Sequence, residues 1–200
     1  YQASRSGEAS VMLTGGTEAM LTFGGLKAWE GLRVMSPDAC RPFSLTRNGM
    51  VQGEGAAVFV FEDYDLARAR GADILAEVIG CAMRADAHDI VAPSTEGAGR
   101  TMLAALRSAR IAPEAVGYVN AHGSATKAND TSEALALRRV FGDHIDRLPV
   151  SSTKSMHGHL IGGTGAVELL ACLMALRLGI VAPTIGYEQP DPDCRIDAVP

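Results

Sequence analysis

Two histidines in this sequence stand where an imidazole could donate a hydrogen bond or move a proton. His122 lies in the stretch Asn120-Ala-His122-Gly-Ser-Ala-Thr126, and His159 lies in Lys154-Ser-Met-His-Gly-His159-Leu-Ile-Gly-Gly. Each follows a short apolar run and sits beside glycine, as at the carboxyl end of a strand, where ligands bind in open α/β sheets. A single histidine in such a place is more often a hydrogen-bonded structural residue. Two at matching strand ends favour a pair of imidazoles that converge on one pocket.

A lysine and a glutamate close to the second histidine have the character of a buried ion pair. Glu168 interrupts a helical pattern that is otherwise apolar from Ala166 to Leu170. A buried carboxylate needs a cation or a donor to offset its desolvation, and Lys154 is the natural partner. An exposed glutamate on a surface helix is the alternative, which the apolar neighbours disfavour.

The other potential metal ligands form no pattern that is typical of a metal site. His157 and His159 make a His-x-His pair without a third ligand nearby, so we expect no metal there. The four cysteines are scattered without a Cys-x-x-Cys pair, at Cys40, Cys81, Cys172 and Cys194. This spacing argues against a disulfide framework and a zinc site, and it favours a reducing compartment.

The composition excludes two classes of partner. The net charge is −5 and the acidic residues are spread along the chain, so no basic stripe could neutralise a nucleic-acid backbone. The longest apolar run, residues 167–178, is interrupted by Glu168 and Arg177 and is shorter than the roughly 20 residues that span a bilayer. We expect a cytoplasmic protein, with any membrane contact limited to the periphery of the inner membrane.

Short apolar runs alternate with amphipathic helical patterns, which is typical of a layered α/β domain. Strands are predicted at residues 10–14, 56–61, 74–79, 116–121, 149–153 and 180–185. Helices are predicted at residues 63–71, at 95–110, at 130–141 and after Gly165. The nearly continuous apolar run at 56–61 is typical of a strand covered on both faces. Gly71 is the predicted boundary between two structural halves.

Asp130 and Glu133 have the spacing of a capping box, in which two side chains satisfy amides at a helix start. An aspartate and a glutamate three residues later can satisfy each other's free backbone amides in this way. We therefore predict that the helix opens at Asp130 and runs to Phe141.

Four motifs together resemble the β-ketoacyl-acyl carrier protein synthases. They are Gly15-Gly-Thr-Glu-Ala, Arg41-Pro-Phe-Ser with Gly53-Glu-Gly-Ala, Ala121-His-Gly-Ser-Ala-Thr, and Ser151-Ser-Thr-Lys-Ser-Met-His-Gly-His. The resemblance covers essentially the whole chain. It implies a thiolase-like α/β fold, in which two similar halves of layered sheets and helices form one domain, normally a homodimer. Residues 1–71 would then be the end of the first half and residues 72–200 most of the second, incomplete at both ends.

The resemblance also implies a reaction and a set of site residues. Members of the family move an acyl group from an acyl carrier protein to a cysteine, decarboxylate malonyl carrier protein and join the two. They need no cofactor of their own, because the substrates ride on the phosphopantetheine of the carrier protein. His122 and His159 match the family's active-site histidines, and Lys154 and Glu168 match its supporting pair, which we expect to fix the orientation of His159.

Two hydroxyls and a subfamily follow from the same resemblance. Ser124 and Thr126 match hydroxyls that hydrogen-bond the phosphopantetheine arm, with serine where threonine is commoner. The wording Met-His-Gly-His-Leu-Ile-Gly-Gly-Thr-Gly is most similar to the rhizobial nodulation synthases, which help build the acyl chain of lipo-oligosaccharide signals.

The chain departs from the family pattern in three places. The cysteine nucleophile is expected to precede Tyr1, and a glycine-rich oxyanion segment is expected to follow Pro200. Ser44 and Asn48 stand where many members have aspartate. We therefore expect these residues alone to be inactive and a full-length parent to be active.

Two other functions compete with condensation. One is a non-catalytic partner that sets chain length, which keeps the fold and loses the cysteine; the presence of both His122 and His159 argues against it. The other is a thiolase that acts on coenzyme A thioesters, which the two histidine motifs fit poorly.

Overall fold

Two small sheets with helices packed around them organise the chain in a computed structural model, which describes residues 1–89 and 92–200. The α-helices are α1 (Gln2–Arg5), α2 (Phe23–Gly31), α3 (Tyr64–Ala69), α4 (Thr95–Ala109), α5 (Lys127–Phe141), α6 (Lys154–His157) and α7 (Thr164–Leu178). The strands are β1 (Val11–Glu18), β2 (Gly55–Glu62), β3 (Val119–Asn120), β4 (Pro149–Ser151) and β5 (Asp197–Ala198). Short 3₁₀ turns lie at Pro113–Ala115 and Gly142–Arg147. The predicted α/β class is confirmed.

The first sheet is an antiparallel pair, in which Val11 of β1 lies opposite Glu62 of β2 and Glu18 opposite Gly55. The strand β1 continues past residue 14, where the sequence predicted its end, through Gly15 and Gly16. A Cβ at Gly16 would lie 2.6 Å from the carbonyl oxygen of Gly162. The loop before α7 therefore crosses β1 at backbone contact, which only glycine allows.

The cover predicted for both faces of β2 is not met by the residues that the structure describes. Burial alternates along both strands, and α7 packs against this sheet. The outer side chains stay bare, with Leu13 73%, Val58 70% and Val60 61% exposed. The continuous apolar run therefore has one packed face and one open face here.

The second sheet brings two loops to one edge. Its parallel strands lie in the order β3-β4-β5, with Val119 opposite Val150 and Asn120 opposite Ser151. Leu137 of α5 packs with Leu148 and Val150 in the core beneath this sheet. Because parallel strands end at the same edge, the segments after Asn120 and Ser151 emerge side by side.

Two predicted strands are wrong in the described structure. Residues 74–79 and 180–185 have no regular secondary structure. The reason is that a strand requires a neighbouring backbone, and neither segment joins a ladder among the described residues. Thr184 donates one isolated backbone hydrogen bond to the carbonyl of Val199, at 2.8 Å.

The predicted capping box is also wrong. Helix α5 begins at Lys127 with Thr126 as its N-cap, so Asp130 and Glu133 lie inside the helix. Both carboxylates accept hydrogen bonds from amides of neighbouring loops instead of from the helix start. The same spacing therefore fastens loops to the helix.

No helix in residues 1–89 or 92–200 combines the length and the apolar character that a membrane crossing requires.

The close crossing at Gly16 can be tested by substitution. We expect Gly16→Ala to lower the free energy of unfolding of the complete protein by about 1–3 kcal/mol, because backbone must move to admit the methyl group. Gly165→Ala is the matched control, since a Cβ there meets no atom within 4 Å and lies in α7. The control should be neutral or stabilising by up to about 1 kcal/mol. Equal effects of the two substitutions in urea unfolding would contradict the close packing.

Candidate active site

The rings of His122 and His159 lie edge to face, with centroids 5.2 Å apart and planes at 79°. His122 follows the end of β3. His159 is held by a different backbone, because its amide donates to the carbonyl of Val51 at 2.7 Å and its carbonyl accepts from Gly53 at 3.1 Å. The structure thus brings together two imidazoles from separate loops, although only His122 follows a strand end and His159 follows helix α6. His122 is partly exposed to solvent in the described chain.

The hydrogen bonds of His159 fix the position of its proton. Nδ1 accepts from the backbone amide of Ile161 at 3.1 Å and lies 3.0 Å from Oγ1 of Thr164. A backbone amide can only donate, so Nδ1 must be unprotonated in this arrangement. The neutral ring therefore carries its hydrogen on Nε2, and it can donate that hydrogen to a ligand.

Both imidazoles are held neutral at pH 7. Partial burial, the charge of Lys154 and the neighbouring His159 lower the pKa of His122, although this residue keeps some contact with solvent. Burial, Lys154 and His157 lower the pKa of His159 to about 4. Because an ordinary histidine titrates near 6.5, both rings act as neutral donors across the physiological range.

Lys154 and Glu168 form the predicted ion pair. Lys154 is fully buried, and its Nζ donates to Oε1 of Glu168 on α7 and to the carbonyl oxygen of His122. Burial raises the pKa of Glu168, and the charge of Lys154 opposes that rise. We expected this pair to orient His159, but its direct contact is with the backbone of His122. The ring of His159 takes its orientation from Thr164 and Ile161 instead.

Glu133 is a site residue that the sequence reasoning missed. Its two carboxylate oxygens accept from the amides of His122, at 2.7 Å, and Gly123, at 2.8 Å. Burial raises the pKa of this carboxyl group, while the two amides oppose the rise. The carboxylate fixes the turn that carries His122. The acidic pair that resembled a capping box was the available signal, and its true partners lie outside the helix.

Asp130 fastens a second loop in the same way. It accepts from the amide of Phe43 at 2.8 Å and from the amide of Ala125 at 3.2 Å. Burial raises its pKa to about 6. Phe43 and Ala125 both have positive φ angles, of 62° and 64°. Residues other than glycine seldom adopt this backbone conformation. The carboxylate helps to hold both turns.

Ser124 and Thr126 lie on the loop that follows His122. Their hydroxyl oxygens are 2.9 Å apart, and Ser124 is 4% exposed. Gly123 starts this turn with a φ of 38°, and a Cβ there would lie 2.5 Å from Cβ of Ser152. The loop can therefore pass closely over the residue that follows β4 only with glycine at this position.

Within the described ranges, no group of three potential ligands is arranged to hold a metal ion. Both ring nitrogens of His157 face protein hydrogen-bond partners, the carbonyl of Gly158 and the hydroxyl of Thr153.

Comparison with protein families matches nearly all of the chain. The family description "Beta-ketoacyl synthase, N-terminal domain" matches residues 1–67, and "Beta-ketoacyl synthase, C-terminal domain" matches residues 75–188. Nodulation protein E of Rhizobium leguminosarum bv. trifolii is 53% identical over 98% of this chain and 49% of its own length. The 3-oxoacyl-[acyl-carrier-protein] synthase 2 of Staphylococcus aureus (strain COL) is 43% identical over all of this chain and 50% of its own. The chain spans about half the length of these curated relatives.

A solved structure shares the fold. The ketosynthase complex AntDE:AntF, described as a type II PKS acyl-carrier protein with its ketosynthase bound to the hexaketide, aligns with a TM-score of 0.96. It is 36% identical over all of this chain and 51% of its own. The predicted thiolase-like fold is confirmed by this likeness.

The protonation of the two rings is open to measurement. We expect ¹⁵N spectra of the histidine-labelled complete protein to show Nε2–H on His159 and no titration of either ring between roughly pH 5 and 8. As the pH falls from 6.5 toward 4, unfolded imidazoles take up protons that the folded rings refuse. The contribution of these two rings to the free energy of unfolding should therefore decline in that window, while Asp130, whose pKa is raised to about 6, contributes in the opposite direction, so the decline is measured as the difference between the parent and the variant His159→Ala. A titration midpoint near 6.5 for either ring would contradict this.

The hydrogen bonds from the amides of His122 and Gly123 to Glu133 lead to a second prediction. In Glu133→Gln, an NH₂ group must face one of the two amides, so the free energy of unfolding should fall by about 1–3 kcal/mol. Glu96→Gln is the control, because this side chain on α4 is 73% exposed. Its effect should stay within about 0.5 kcal/mol. Urea unfolding of the complete protein measures both effects. An unchanged free energy of unfolding in Glu133→Gln would contradict the stabilising role of this carboxylate.

Proposed function

The chain belongs to the β-ketoacyl synthase family, and on that premise we propose that the whole protein is a β-ketoacyl-acyl carrier protein synthase. It condenses malonyl carrier protein with an acyl thioester in acyl-chain elongation. The pair of neutral imidazoles 5.2 Å apart is the observation that carries this proposal. Identity to the Staphylococcus aureus synthase supports it.

The imidazoles suit the charge that decarboxylation creates. When the bond to the carboxylate breaks, its electron pair moves onto the thioester as an enolate and carbon dioxide leaves. The Nε2 hydrogen of His159, and a hydrogen of His122, donate to the enolate oxygen without first giving up a proton. The exposed part of His122 is where the malonyl thioester would lie. The enolate carbon then attacks the acyl thioester, and the thiolate that carried the acyl group is released.

Four further residues take supporting roles in this proposal. Lys154 holds the carbonyl of His122, Glu168 holds Lys154, and the lysine charge adds to burial in keeping the imidazoles neutral. Ser124 and Thr126, whose hydroxyls share the loop of His122, hydrogen-bond the phosphopantetheine arm. No cofactor of the protein itself is part of this mechanism.

The partners in this proposal are an acyl carrier protein and a second copy of the chain. The relative AntDE:AntF is a ketosynthase in complex with its acyl-carrier protein, which supports the first partner. The homodimer follows from the family resemblance. We also assign residues 1–71 to the first structural half and 72–200 to the second, supported by the two family matches on either side of Gly71. The proposed location is the cytoplasm, with at most peripheral contact with the inner membrane.

The proposed product is the acyl chain of a nodulation lipo-oligosaccharide. The 53% identity to the Rhizobium leguminosarum nodulation protein E supports this product over a housekeeping fatty acid. The alternative, a chain-length partner without catalysis, has no use for two imidazoles locked as neutral donors, so the site favours the enzyme.

Replacing either imidazole should abolish one enolate donor. We expect His122→Ala and His159→Ala in the complete protein to lower kcat for malonyl-carrier protein decarboxylation about 10²–10³-fold each. The double variant should lose less than the product of the two factors, because the rings act as a unit. Release of labelled carbon dioxide measures the rate. His144→Ala is the control. This residue lies in the 3₁₀ turn Gly142–Arg147, and its ring contacts the carbonyl of Val116, which follows the other 3₁₀ turn. Changes within threefold at both site histidines would refute the function.

A further inference from the structure

The ring of His157 is half-buried two residues before His159, and the reaction proposed above does not use it. Its Nδ1 lies 2.7 Å from the carbonyl oxygen of Gly158. Its Nε2 lies 3.1 Å from Oγ1 of Thr153, which is buried. Both nitrogens therefore have a partner inside the protein.

The directions of these hydrogen bonds are set by chemistry. A carbonyl can only accept, so Nδ1 of His157 carries the hydrogen. Burial, followed by the charge of Lys154, lowers the pKa of His157, so the ring is neutral and Nε2 accepts from the Thr153 hydroxyl. The same hydroxyl oxygen accepts from Nδ2 of Asn120 at 3.2 Å. Donation thus runs in one direction, from Asn120 through Thr153 and His157 to Gly158.

This series of hydrogen bonds ends on the peptide unit that joins Gly158 to His159. The carbonyl of Gly158 and the amide of His159 belong to one planar peptide. His157 holds the oxygen, and the carbonyl of Val51 accepts from the amide at 2.7 Å. Gly158 has a φ of 72°, and a Cβ there would lie 3.0 Å from backbone atoms of Gln52 and Gly53. Both polar atoms of the peptide are therefore pinned in a tight space.

The other end of this series of hydrogen bonds, at Asn120, lies close to His122 in the sequence. Asn120 is the last residue of β3 and stands two residues before His122. Its Nδ2 also donates to the backbone carbonyl of Glu168, at 3.3 Å. The hydrogen bonds therefore join the strand end that leads to His122 with the peptide that leads to His159.

We propose that His157 is a positioning residue, which fixes the peptide before His159 relative to the end of β3 through Thr153 and Asn120. Its effect on rate rests on the proposed function, whereas its hydrogen bonds do not. Rotation of the pinned peptide would swing the His159 ring away from His122. Misplacement of a reacting group by about 1 Å can cost on the order of a hundredfold in rate.

Three substitutions in the complete protein separate the two contacts of the ring. In His157→Asn, an amide nitrogen takes the place of Nδ1 and can still donate to Gly158. In His157→Gln, the amide takes the place of Nε2, keeps the contact with Thr153 and loses Gly158. In His157→Phe, both contacts are lost while the ring volume stays.

We expect kcat for malonyl decarboxylation to fall about tenfold to a hundredfold in His157→Phe and His157→Gln. His157→Asn should restore kcat to within about threefold of the parent, and KM should change little in all three. A parent-like kcat in His157→Phe would overturn the proposal. So would a loss in His157→Asn as large as that in His157→Gln.

Nitrogen NMR provides a readout that general stability does not move. In the histidine-labelled parent protein, His157 should carry its hydrogen on Nδ1 and His159 on Nε2. The Nε2–H signal of His159 should shift or broaden in His157→Phe and return in His157→Asn. A hydrogen on Nε2 of His157 in the parent would overturn the proposal even if every variant failed to fold.

His144→Phe is the matched control. The ring of His144 also holds a backbone carbonyl, with Nε2 2.9 Å from the oxygen of Val116. We expect it to lower stability and to leave kcat and the His159 signal unchanged. An equal loss of kcat in the two phenylalanine variants would reduce His157 to a stability role. A parent protein without decarboxylase activity would refute the proposed function alone, because the tautomers would still be measured.

Discussion

The buried ammonium group of Lys154 is the interaction on which the arrangement of the site depends. An ion so far from water is tolerated only when an opposite charge and a full set of acceptors surround it. Glu168 supplies the charge from α7, and the carbonyl of His122 supplies an acceptor from the end of β3. The lysine therefore joins a helix to a strand end. The same positive charge disfavours protonation of the imidazoles around it, so Lys154 holds the backbone of His122 and adds to burial in keeping both rings neutral.

Much of the site followed from the sequence because chemistry and position coincided there. Two histidines beside glycines and an acid in an apolar helix are local patterns, and each pointed to its own part of the site, although His159 follows α6 and not a strand. Glu133 could not be assigned in that way. Its spacing from Asp130 is the spacing of a helix cap, and only the fold shows that the acceptors reach the amides of His122 and Gly123. The hydrogen-bond partners of a buried carboxylate are set by tertiary structure and not by local sequence.

The fold was predictable to the same degree. Helices α3 and α4 carry their own caps, at Asp63 and Ser94, and the sequence located them. The segments 74–79 and 180–185 have strand-like composition, but a ladder needs a neighbour that composition does not name. The tautomers were equally hidden. His157 and His159 are separated by one residue, and their opposite proton positions depend on a carbonyl in one case and an amide in the other.

The bare outer face of the first sheet has a consequence for handling the molecule. Exposed valine and leucine side chains lie on the outer face of the antiparallel pair β1 and β2 and form an apolar surface patch. Contiguous apolar patches of this kind favour self-association in water. A polypeptide made of these 200 residues alone would therefore tend to precipitate or to require detergent during purification.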